Sequence, residues 1–134
     1  MDLNELKCLK KSIIDLKKEF LNIEDENDIL KNNVKDIINV LTKIYEEAFN
    51  NISKVDKIKN YGDLYIPIYL NWLWKYNSLK KKNVSTTDIT VFYEKIESLT
   101  EVLKEHFQNK YKSMLNEDLI INDAEIDALL KSIK

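Results

Sequence analysis

The spacing of apolar residues over the first half of the chain narrows the fold to one class. Leu6, Leu9, Ile13, Leu16, Phe20, Ile23, Leu30, Val34, Ile37, Leu41, Ile44 and Ala48 follow a rhythm of alternating threes and fours, and only Asn27 misses its beat. That rhythm gathers apolar groups into one stripe of a helix, which is buried only against other helices. One glycine and one proline among 134 residues leave almost no turn chemistry for hairpins. The expected fold is all-α, an antiparallel helical bundle of four to six helices forming a single helical domain over 1–134.

Breaks in the pattern suggest where helices end. A first helix is expected over about 4–22, followed by the acidic stretch 24–28, in which Asn27 or Asp25 can accept from the free amides of a second helix running to about 51. The intact phase also permits one continuous helix. A short helix from about Ser53 should stop at Asn60-Tyr61-Gly62, with Gly62 supplying the left-handed residue. Pro67 belongs in the first turn of the next helix, about 64 to 79 or 81, because an interior proline loses a hydrogen bond and clashes. Tyr65, Tyr69, Trp72, Tyr76 and Leu79 share a stripe there while Ile66, Leu70, Leu73 and Trp74 occupy other faces, which places this helix centrally. After a polar connector over 83–88, Ile89, Phe92, Ile96, Leu99, Leu103, Phe107, Tyr111 and Leu115 mark a long helix. Near its end Asn116-Glu117-Asp118 gives way to Leu119-Ile120-Ile121, a run too short to classify alone. Asn122 and Glu125 have the spacing of a capping box for a last helix over about 123–133, packed through Ile126, Leu129, Leu130 and Ile133.

Charge excludes several functions. All 21 basic residues are lysine, against 23 acids, and without the planar guanidinium fork the chain suits neither phosphate chemistry nor base reading. No nucleic-acid partner is expected. Lys80, Lys81 and Lys82 fall where a helix should end, so the helix dipole and solubility account for them. The longest apolar run, 64–74, is interrupted by Pro67 and Asn71 and is shorter than the ~20 residues of a membrane crossing. The acidic N-terminus does not resemble a secretory signal, and a cytoplasmic location is expected.

Signals of catalysis are nearly absent, and neither a cofactor nor a metal is expected. A single glycine gives no phosphate-cradling loop. Cys8 reads as a small apolar residue of the first helix, and His106 as a surface or half-buried side chain. Asp123, Glu125 and Asp127 suit a helix N-terminal turn, where acids meet the dipole, better than a cation site. The aromatic group Tyr61, Tyr65, Trp72, Trp74 and Tyr76 is the main candidate, either as core or as a partner surface, since tyrosine and tryptophan anchor interfaces. Trp72 and Trp74 lie about 200° apart at ~100° per residue, so one of them should be exposed.

From Asp36 onward the order of features resembles the XpaC-like family, labelled 5-bromo-4-chloroindolyl phosphate hydrolysis protein. The resemblance rests on a helix ending Ile44-Tyr45-Glu46, then Tyr65-Ile66-Pro67, then Leu70, Trp74-Lys75-Tyr76 and Leu79, and finally 123–130. It implies a helical protein acting beside a TelA-like toxic-anion-resistance partner, although the membrane-associated region common in that family has no counterpart here. The expected function is a non-catalytic interaction or scaffold protein that binds such a partner or itself. The alternatives are a metal-dependent phosphate-ester hydrolase, as the family label suggests, and a phage or mobile-element protein that blocks a host complex. The segment 125–130 also resembles the short helix of flagellar switch proteins bound by a chemotaxis response regulator.

Overall fold

The computed structural model describes residues 3–24 and 26–133, with only the backbone of Ile121. Four helices dominate: α1 (Asn4–Phe20), α2 (Asp28–Asn50), α3 (Ile66–Lys81) and α4 (Thr87–Ile133). No strand occurs among the described residues. The protein is an all-α bundle.

Cross-links fix the directions of the helices. The turn after α1 reverses the chain, and near it Lys31 Nζ of α2 lies 5.6 Å from the Phe20 ring centre, so α1 and α2 are antiparallel. The α3–α4 pair is antiparallel too, since Tyr76 meets Tyr93 while Tyr69, earlier in α3, meets Thr100. Between the hairpins the neighbours run parallel. Glu5, Ser12 and Glu19 of α1 bond in order to Asn60, Gly62 and Asn77. Asn33 and Lys43 of α2 meet Lys104 and Tyr111 of α4.

Asn27 misses the apolar beat because it caps α2, its Oδ1 accepting from Leu30 N at 3.4 Å. The turn around it excludes one continuous helix; the alternative cap, Asp25, lies outside the described residues. Pro67 sits in the first turn of α3, as its missing N–H requires. Lys80 and Lys81 occupy the last turn of that helix.

Gly62 departs from the expectation. The left-handed residue is Asn60, at φ 67°, and Gly62 has no positive φ. Gly62 is there for close approach: a Cβ on it would lie 2.1 Å from Leu9 N and 2.2 Å from the Cys8 carbonyl carbon. Its own carbonyl accepts from the buried Ser12 hydroxyl at 2.6 Å. The chain between α2 and α3 makes a 3₁₀ segment over Ile52–Ile58 and one wide π-helical turn over Tyr61–Tyr65, with Tyr65 N donating to Asn60 O at 3.0 Å. This turn is pressed onto α1.

The central helix is α2, not α3. Leu30, Val34, Ile37, Leu41, Ile44 and Ala48 of α2 are all essentially inaccessible. In contrast, α3 buries only Ile66, Tyr69, Leu73, Tyr76 and Asn77, while Ile68, Trp72 and Trp74 are exposed. A helix apolar nearly all round is here a peripheral helix with an uncovered side.

The last third of the chain corrects the sequence reading further. There is no break at 116–118 and no separate terminal helix: α4 runs unbroken for 47 residues. At ~1.5 Å per residue it is about 70 Å long, against about 35 Å for the 23 residues of α2. The bundle covers α4 only as far as Asp118. Beyond it, every described side chain over 119–133 is exposed, including Ile126, Leu129, Leu130 and Ile133, which were expected to pack.

The candidate interaction groove between α3 and α4

Where α3 meets α4, tyrosines form the seam. Tyr69 Oη lies 2.6 Å from Thr100 Oγ1, and Tyr76 donates to Glu97 Oε1 at 2.8 Å. Tyr61 stacks edge-on against Phe107 at 5.2 Å between ring centres. The Tyr69–Thr100 contact is buried and the Tyr76–Glu97 contact partly so. Burial raises the pKa of Tyr61 to about 12 and also raises those of Tyr69 and Tyr76, so all three stay protonated donors.

Beside this seam the two helices leave an open groove of about 490 Å³. Tyr65, from the π-helical turn, with Ile68 and Trp72 of α3 forms one wall, at helical spacings of three and four, and Leu99, Val102 and His106 form the α4 wall at three and four. Tyr61, Tyr69, Leu103 and Phe107 line its floor. His106 Nε2 lies 3.3 Å from Tyr61 Oη, at the end of the groove nearest the π-helical turn. Continued at the same spacings, the α4 row meets Lys95 at one end and Lys110 at the other, and the α3 row meets Lys75. No acid falls on either row between these lysines.

The five aromatic candidates separate into three environments. Tyr61 and Tyr76, 5% and 1% exposed, are core residues, although the edge of Tyr61 reaches the groove floor. Tyr65 and Trp72, 50% and 41% exposed, stand on one groove wall. Trp74 is 58% exposed on another side of α3, outside the groove. Both tryptophans are exposed, where the helix geometry required only one. Ile68, Val102 and His106 were not anticipated as site residues; the matching three-four spacing beside the core stripe was the available signal.

Two polar clusters are structural. Asn27, Tyr76, Asn77 and Glu97 line a smaller cavity of about 240 Å³, where Asn27 Nδ2 and Glu97 hold the Tyr76 hydroxyl between them. At the opposite end, Lys54 is buried and its ammonium donates to Glu47 Oε1 at 2.7 Å, to the Met114 carbonyl at 3.2 Å, and to Asp118. Burial opposes the charge on Lys54, but the bonds to Asp118 and Glu47 outweigh it and raise its pKa. The same bond lowers the pKa of Asp118. Next to it, Lys57 pairs with Glu117 at 2.8 Å.

Among the described residues no group of three or more His, Cys, Asp or Glu is placed to hold a metal ion, and no helix is long and apolar enough to cross a membrane. The groove offers apolar walls, tyrosine hydroxyls and one imidazole, an arrangement suited to holding an apolar surface. No protein-family model, curated protein or solved structure matches this chain.

Proposed function

We propose that this chain is a non-catalytic interaction protein that holds an amphipathic helix of another protein chain in the groove between α3 and α4. The observation that supports this best is the pair of exposed apolar rows, Tyr65-Ile68-Trp72 and Leu99-Val102-His106, facing one another across an open trough. Helix-in-groove recognition needs that shape, with anchors at i, i+3, i+4 and i+7 of the bound helix. Tryptophan and tyrosine supply much of the energy of such anchors. The lysines ending both rows favour an occupant with acidic edges. The XpaC-like resemblance makes a TelA-like toxic-anion-resistance protein the first heterologous partner to try.

The test uses Trp72 as its own reporter. In a Trp74→Phe chain Trp72 is the sole indole. Titration with a synthetic Leu/Glu amphipathic helical peptide should shift its emission to the blue and saturate. Ile68→Gln with Val102→Gln, both at exposed positions, should weaken that binding about tenfold or more, as loss of central anchors does. No shift, or one unaffected by the double substitution, removes the groove as the site. Metal-dependent turnover of a chromogenic phosphate ester, lost on changing Asp123 or Asp127, would replace this reading with the hydrolase.

A further inference from the structure

The terminal stretch of α4 is the second unpartnered apolar surface of the molecule. Leu119, Ile126, Leu130 and Ile133 fall on one line of the helix, all exposed. Asp123 falls in the same row, in the gap between Leu119 and Ile126, while Asp127 borders one side of it and Glu125 the other. An acid-edged apolar stripe is the complement of an apolar groove ended by lysines. We propose that the occupant of the α3–α4 groove is this terminal arm from a second copy of the chain. The proposal rests on the groove reading above and names its partner.

Three observations on the molecule support it. The arm cannot reach its own groove, because it and one groove wall belong to the same continuous helix. It is long enough, since residues 119–133 span about 22 Å at 1.5 Å per residue and the α4 wall needs only 99–107. Its charge suits the groove better than a membrane: Asp123, Glu125 and Asp127 outnumber Lys131 on it, and an anionic lipid surface would repel that excess.

The geometry also sets the form of the assembly. At ~100° per residue, the stripe of the arm and the groove wall of α4 lie on opposite sides of one helix. A copy that gives its arm to one neighbour therefore receives the arm of a different one. That is a head-to-tail arrangement, which grows into a chain or closes into a ring larger than a dimer.

Sedimentation of the full chain over a wide concentration range reads this directly. The mass should rise with concentration from the 15.9 kDa monomer past two copies. Ile126→Gln with Leu130→Gln disables the arm and leaves the groove, and Ile68→Gln with Val102→Gln does the reverse; each chain alone should stay monomeric. Mixed together, they should form a one-to-one complex that grows no further. Circular dichroism identical to the parent checks that these surface variants are folded. A wild-type chain that stays monomeric, stops at a dimer, or assembles despite either double substitution overturns the proposal, as does a mixture that forms no complex. If the Leu/Glu peptide still binds the groove in those cases, only the second-copy occupant is wrong; if it does not, the groove reading fails as well.

Discussion

The two parts of α4 carry much the same pattern and have opposite fates. Over 87–118 its apolar face is covered: Tyr93, Ile96, Phe107 and Met114 are buried, and Thr100 lies beneath Tyr69. Over 119–133 an apolar stripe of similar spacing stands in solvent. The uncovered part is the more apolar by composition, with nine hydrophobic residues of 15 against 12 of 32, so composition does not explain its exposure. The difference lies in what runs alongside: α3 flanks the first part around Tyr93 and Thr100 and α2 flanks it around Lys104 and Tyr111, while every described side chain of the second is exposed. Periodicity specifies which face of a helix wants covering, and tertiary partners decide whether it is covered.

Substitutions at matched positions sharpen that contrast. Phe107→Ala, within the covered part, should cost about 3–5 kcal/mol, the usual cavity penalty for a buried phenylalanine, read as a lowered denaturant midpoint. Gly62→Ala tests the covered region from the other direction. The added methyl meets the α1 backbone instead of a movable side chain, so a loss of at least about 3 kcal/mol is expected by chemical denaturation.

Lys54 stands at the boundary between the two parts. Lys54→Met should cost about 1–3 kcal/mol, less than a fully buried pair because Glu47 and Asp118 keep some contact with water. Its pH dependence has a definite sign. The lowered pKa of Asp118 means that its share of stability is lost as pH falls below the ordinary carboxylate value of 3.8. The raised pKa of Lys54 keeps its share below the ordinary 10.5, with loss as pH climbs further. Tyr61, raised from 10.0 to about 12, works in the same alkaline direction. Melting temperature against pH should therefore fall at both extremes, and the acid shoulder should shrink in Lys54→Met.

The smallest effect belongs to the arm. Leu130→Gln should change the stability of the isolated monomer by no more than about 0.5 kcal/mol, as exposed substitutions do. A larger loss in dilute solution would show that the arm is covered within one chain and erase the contrast.

These regions differ in how far the sequence announced them. The α1–α2 hairpin was legible because its stripe, its cap at Asn27 and the turn all agree. Pro67 placed the start of α3 for the same local reason. Gly62 misled because a glycine after an apolar run has two uses, a left-handed turn or a close approach, and only the neighbouring α1 selects between them. Asn116 to Asp118 misled because polar residues end a helix only when the chain turns there; here Glu117 and Asp118 are engaged by Lys57 and Lys54, which lie about sixty residues earlier in the chain. The groove was half visible. Trp72 and Tyr65 stood out as aromatics, while Ile68 and Val102 resembled ordinary packing residues, because only the pairing of α3 with α4 shows that both are exposed on one groove.

The ammonium of Lys54 acts as a fulcrum. Among the described residues Asp118 is the last of α4 bonded to the rest of the molecule, and residues 119–133 extend about 22 Å beyond it. A sideways load on that stretch falls first on an ion pair, which acid and salt weaken.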